Sequence, residues 1–150
     1  SALLLGKAKD NNASASVGPF IRLFDEDFTI NDVRSAELTL RVEGADGFVM
    51  DGYSSMARIS RDPLDLAAQL IGPHHQYPDG AMLFLGTLFA PVQDRDAPGS
   101  GFTHKLDDVV TIHSAKLGTL RNRMRHCDQC PPWAFSASHL MRNLAKRGLL

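Results

Sequence analysis

At 150 residues, with 43% hydrophobic and 22% charged residues and a net charge of −1, the chain has the length and balance of one soluble globular domain. Its longest apolar runs, Ala2 to Leu5 and Ala81 to Leu85, are far short of a membrane span, and no signal peptide precedes them. The two cysteines, Cys127 and Cys130, exclude a disulfide framework and, without a secretion signal, point to a reducing, cytoplasmic setting.

The first nineteen residues, SALLLGKAKDNNASASVGP, read as an apolar strand that ends at Gly6 and delivers Lys7 into a stretch of Ala, Ser and Asn. Small side chains there leave room for a ligand, and a lysine at such a rim is suited to proton transfer or to pairing with an anion. The alternative is a strand end with a solvated lysine. The chain opens at Ser1, without Met, directly on this strand, which predicts that further sequence belongs before it.

Phe20 to Phe24 alternates apolar and polar residues and predicts a strand, after which Asp25-Glu26-Asp27 turns the chain. Thr29 and Asn31-Asp32 start a short helical turn. Glu37 to Val42 alternates cleanly, Glu43 to Gly47 is rich in turn residues, and Phe48-Val49-Met50 returns, which predicts a β-hairpin. Ser54-Ser55 caps a helix from about Met56. Asp62-Pro63 starts a second one, with Leu64, Leu66, Ala67, Leu70 and Ile71 at helical spacing and Gly72-Pro73 as its stop. The acidic residues of DEDF and DPLD read as solvated surface. His74-His75 invites a metal, but neighbouring side chains diverge and no acidic residue completes a site, so a pocket-shaping loop is the better reading.

Pro78-Asp79-Gly80 predicts a turn, and Ala81 to Leu85 a buried strand that leads into Gly86-Thr87. A glycine allows close backbone approach to a ligand, and a threonine hydroxyl with nearby N–H groups holds a carboxylate. The stretch from Ala90 to His104 has the length of a functional loop. Within it, Asp94-Arg95-Asp96 reads as a loop-internal salt bridge or, alternatively, Arg95 meets an acidic substrate. Asp107-Asp108 is a turn, followed by strands at Val109 to Ile112 and Leu117 to Asn122. His126 with Cys127 and Cys130 is half of a zinc site at most. Ser136 to Gly148 predicts a C-terminal helix. From Lys116 onward seven Lys and Arg face one Asp, whereas the first 115 residues carry nine against sixteen acids. With no nucleic-acid motif and little aromatic interleaving, the basic tail reads as ordinary helix-end charge, and neither nucleic acid nor membrane is an expected partner.

Three of these stretches together resemble the fumarylacetoacetate hydrolase superfamily: LLGK with Asp10-Asn11 and Gly18-Pro19, PDGAMLFLGT, and Asp107-Asp108 followed by LGTLRN. Leu88 stands where many members have proline, and Asp107 replaces the usual turn glycine, a change that Asp tolerates. GKAKDNNAS, HHQYPDG, FTHK and LMRNLA are most similar to longer bacterial members, the 2-keto-3-deoxy-D-xylonate dehydratases. The resemblance implies an α+β, β-rich fold, the C-terminal portion of a mixed β-sandwich roll, with residues 1–150 forming the C-terminal part of one catalytic domain. It implies Lys7 as the active-site lysine, Thr87 with Gly86 at the substrate carboxylate, and Asn11 lining the same pocket.

The cofactor it implies is Mg2+, or Mn2+ or Ca2+, held by an E-x-E pair and an Asp that precede the lysine in the family and so lie outside this segment. The implied activity is dehydration of a 2-keto-3-deoxy pentonate, a small 2-oxo acid, through an enolate. Two alternatives stand beside it: C–C bond hydrolysis of a diketo acid, and a non-catalytic fragment whose partner supplies the metal. Self-association, or pairing with a preceding N-terminal part, follows from an exposed first strand.

Overall fold

A computed structural model describes residues 11–86 and 89–150, which fall into two compact units. One is residues 18–124. The other combines the described residues up to Val17 with Arg125–Leu150. Lys7, Thr87 and the apolar run at Ala2 to Leu5 lie outside the described residues. The architecture is α+β: a four-stranded antiparallel sheet with three α-helices among the described residues.

In the larger unit, Thr29 precedes helix α1 (Ile30–Arg34), where the Asp32 carboxylate accepts from the Thr29 amide at 2.7 Å and its hydroxyl at 2.9 Å. Strands β1 (Glu37–Glu43) and β2 (Val49–Ser55) form the expected hairpin, with Glu43 opposite Val49. A 3-10 turn at Met56–Arg58 follows, capped by the Ser55 hydroxyl, which accepts from the Ala57 amide. Helix α2 (Pro63–Leu70) starts as its sequence dictates: proline occupies the first turn, and the Asp62 carboxylate accepts from Leu64 N at 2.9 Å. Strands β3 (Val109–Ser114) and β4 (Gly118–Arg123) make a second hairpin.

The sheet order is β2-β1-β3-β4, so the excursion from Met56 to Asp108 leaves from one edge and returns to the interior. Register sorts the side chains. Leu38, Leu40 and Val42 share a face with Met50, Val110, Ile112 and Leu120, while Glu37, Thr39, Arg41, Asp51, Thr111 and Arg121 face the other way. On the polar face Arg41 pairs with Asp51 directly across the strands at 2.9 Å. On the apolar face only Val42 and Met50 reach full burial, and Leu38, Leu40, Ile112 and Leu120 remain half-buried.

Two expected strands are absent. Phe20 to Phe24 runs as irregular chain with Phe20 89% and Ile21 84% exposed. Pro19 to Ile21 stand off the sheet, across a cleft of about 670 Å³ from Leu38, Ile112 and Leu120. Ala81 to Leu85 is also irregular, with Met82 and Phe84 exposed rather than buried. The reason is the same for both. Alternation or apolarity creates a demand for burial, but a strand also needs a ladder neighbour and a covering layer, and the described residues provide neither.

In the smaller unit, the Asn12 side-chain amide donates to Pro131 O at 3.0 Å, and a 3-10 turn spans Cys127–Gln129. Helix α3 (Ala137–Lys146) begins at Ser136, whose amide donates to His139 Nδ1 at 3.2 Å. It ends where Gly148 N and Leu149 N donate to the carbonyls of Ala145 and Leu144. Among the described residues, no helix is long and apolar enough to cross a membrane.

Candidate functional site

The stretch that carries Gly86 runs beside the open edge of β2. Gly86 has φ +94°, a left-handed backbone that L side chains rarely adopt, and a Cβ built there would meet no described atom within 4 Å other than those of its chain neighbours. Backbone twist, rather than crowding by the protein, therefore requires the glycine. The residue lines two clefts. One, of about 250 Å³, lies on the apolar face among Leu38, Leu40, Gly52, Phe89 and Ile112. The other, of about 350 Å³, is walled by Tyr53, Ser54, Arg58, Ser60 and Leu85.

Gly52 sets the shape of the apolar cleft. A Cβ at that position would lie 2.7 Å from the Phe89 ring, so the ring can rest on β2 only because residue 52 has no side chain. Gly52→Ala is expected to displace Phe89 and destabilise the larger unit by about 1 kcal/mol, read by urea denaturation. An unchanged midpoint would show that the ring does not depend on this contact.

A charged cluster fixes the loop that follows. Arg95 and Asp108 are buried, with the guanidinium donating to both carboxylate oxygens of Asp108 at 2.6 and 2.9 Å. Arg95 also donates to both oxygens of Asp46 at 3.1 Å and lies 4.5 Å over the Phe48 ring. The Lys105 backbone amide donates to Asp108, and its ammonium pairs with Asp46 and Asp96. Hydrogen bonding from Arg95 holds the Asp108 carboxyl below the usual range against the opposing effect of burial. The Lys105 ammonium, then Phe48 N–H and Arg95, do the same for Asp46.

The cluster corrects both expectations for Arg95. Its carboxylate partners lie on the β1–β2 loop and just before β3 rather than inside its own loop, which contributes the Thr103 carbonyl at 3.3 Å, and both terminal nitrogens of the guanidinium are committed to these groups. Asp94 instead accepts from Gly99 N at 2.7 Å and Gly101 N at 2.8 Å, and Asp96 pairs with Lys105. Asp107 adopts the left-handed conformation expected for its turn, with φ +69°. Asp25 and Asp62 are not bare surface acids: Arg22 and Arg34 pair with them at 2.5 and 2.6 Å.

Of the residues singled out from sequence, Gly86 lies in the larger unit and Asn11 in the smaller, where its carbonyl accepts from Ser14 N at 3.1 Å. His75 closes a tight turn with Gly72. Cys127 and Cys130 are free thiols, and Cys130 Sγ lies 3.4 Å from His126 O. Among the described residues, no group of three or more His, Cys, Asp or Glu could hold a metal ion. They do not fit a divalent-cation centre.

Arg58 belongs to no motif in the sequence, yet it lines the cleft beside Gly86. Asp62, four residues on and across an extended link, accepts instead from Leu64 N and pairs with Arg34. Among the described residues no carboxylate lies within ion-pairing distance of Arg58, whereas nearby Arg61 pairs with Asp65 at 2.8 Å. No local signal distinguishes the two arginines, since each has an aspartate at i+4. Comparison with protein-family models, curated proteins and solved structures finds no match to this chain.

Proposed function

We infer that this chain belongs to a 2-oxo acid enzyme of the fumarylacetoacetate hydrolase type, one that dehydrates a 2-keto-3-deoxy pentonate to a 2-oxo acid semialdehyde. The observation that carries the reading is Gly86. The glycine of the PDGAMLFLGT stretch holds a left-handed backbone beside two clefts, immediately before Thr87. The left-handed Asp107, at the turn where the resemblance calls for glycine, supports the same reading, as does the antiparallel pairing of β3 with the LGTLRN strand. The finer fold assignment, the C-terminal portion of a mixed β-sandwich roll, belongs to this proposal.

The reaction removes one water. C3 loses a proton and C4 its hydroxyl, forming a C3–C4 double bond. Loss of a proton from C5 and protonation at C3 then give an enol, which becomes the C5 aldehyde as C4 takes up a proton. In this reading the Lys7 amine moves the C3 proton or steadies the negative charge that develops on the keto oxygen. The Thr87 hydroxyl and neighbouring N–H groups, including that of Gly86, hold the carboxylate. The reading assigns the ligands of its cation, Mg2+ or alternatively Mn2+ or Ca2+, to residues outside this segment. The exposed side chains at Phe20, Ile21, Met82 and Phe84 support assembly with further polypeptide, a second copy or an N-terminal part, in a cytoplasmic oligomer.

Calorimetric titration of pyruvate into the intact protein, with and without Mg2+, tests the reading. Saturable binding that strengthens with Mg2+ and weakens with a chelator is expected. Absence of saturable binding under every metal condition would overturn it.

A further inference from the structure

We propose that the polar cleft between the end of β2 and Leu85-Gly86 is a carboxylate-binding site in which Arg58 supplies the counter-charge. The inference rests on the 2-oxo acid reading for the identity of its ligand, but its own grounds are separate.

The first is charge. Arg58, Tyr53 and Ser60 line the cleft, and among the described residues no acidic residue lines it. Most arginines of the larger unit are neutralised: Arg22 by Asp25, Arg34 by Asp62, Arg41 by Asp51, Arg61 by Asp65, Arg95 by Asp46 and Asp108. Among the described residues Arg58 has no carboxylate partner, and the nearest acid in sequence, Asp62, is held by Arg34.

The second ground is placement. Arg58 closes the 3-10 turn whose start is fixed by the Ser55 cap and by Met56 N donating to Ala36 O at 2.9 Å. The turn is thus tied to the residue that precedes β1, and its first residue, Met56, is buried. Across the cleft, Gly86 presents backbone without a side chain. A cleft lined by an arginine without a carboxylate partner, by hydroxyl-bearing residues and by a glycine matches a planar carboxylate better than a neutral carbonyl compound. A volume of about 350 Å³ accommodates a small acid rather than a polymer. Arg58 in this role distinguishes 2-oxo acids from aldehydes and ketones that lack the carboxylate.

The test uses the intact protein with Mg2+ and two probes, acetate as the simplest carboxylate and pyruvate as the 2-oxo acid, titrated by calorimetry into wild type, Arg58→Ala and Arg58→Lys. Arg58→Ala is expected to weaken pyruvate binding about ten- to a hundredfold, and Arg58→Lys to restore part of it. Far-UV circular dichroism should stay unchanged for both variants. Pyruvate binding that is equally tight in Arg58→Ala overturns the carboxylate site and leaves the functional reading standing. Acetate binding that depends on Arg58, with pyruvate bound no better and no turnover, supports the site and overturns the functional reading. Absence of binding by either probe in wild type overturns both.

Discussion

Replacing Asp108 with alanine is expected to destabilise the larger unit by about 3 kcal/mol, because the buried Arg95 guanidinium loses its buried two-point partner and keeps only the more exposed Asp46 and the Thr103 carbonyl. Asp108 is fully buried and Arg95 is 4% exposed, so water cannot readily replace the lost partner. The cluster is sealed by its own loops rather than by a thick core, since the fully buried apolar residues described are Phe28, Val42, Met50 and Met56. That places the cost at the lower end of what broken buried pairs show. Arg95 Nε is already buried without a hydrogen-bond partner, which leaves the cluster little reserve. The paired change Arg95→Met with Asp108→Leu is expected to cost less than Asp108→Ala alone, because it removes both charges together. Urea denaturation of the three proteins reads the difference, and a double variant less stable than the single one would contradict the account.

The same cluster fixes a pH dependence. Asp108 and Asp46 both have carboxyls depressed below their ordinary value near 4. Their contribution is therefore complete above about pH 5 and is lost as pH falls through the unfolded and then the folded value. The protein should unfold progressively in acid, and Asp108→Asn should flatten stability against pH below about pH 5. A slope unchanged in that variant would remove Asp108 from the titration.

Lys7→Ala is expected to lower turnover of the intact protein by about a hundred- to ten-thousandfold while leaving the denaturation midpoint in place. The two readouts separate chemistry from structure. A midpoint that falls together with turnover would make Lys7 a structural residue, and unchanged turnover would remove it from the mechanism. A fall in kcat larger than any rise in KM is the expected pattern, because stabilisation of an enolate is realised only on the way to the transition state.

Much of the fold can be read from local sequence. ELTLRV alternates, EGADG supplies the turn, and the resulting hairpin pairs Leu38, Leu40 and Val42 with the face that holds Met50. Helix α2 is bracketed by Asp62-Pro63 and Gly72-Pro73. FIRLF and AMLFL fail for a physical reason: a hydrophobic pattern reports that burial is wanted, not what provides it. The Arg95 cluster is equally hidden, because its partners Asp108 and Asp46 lie 13 and 49 residues away and meet only after the chain returns to β3. At the candidate site, the left-handed turn at Gly86 follows from its glycine. Arg58 carries no such local signal, since which carboxylates remain for it depends on contacts between distant segments, such as Arg34 with Asp62 at a separation of 28 residues.

The most direct measurement is 13C NMR of the intact protein incubated with Mg2+ and a 2-keto-3-deoxy pentonate labelled at C4. The account predicts that the carbinol carbon at C4 becomes a methylene as the semialdehyde forms, and that the conversion is lost in Lys7→Ala. A C4 carbon that stays a carbinol with Mg2+, Mn2+ and Ca2+ alike, or a diketo acid cleaved in its place, would contradict the assignment as a dehydratase.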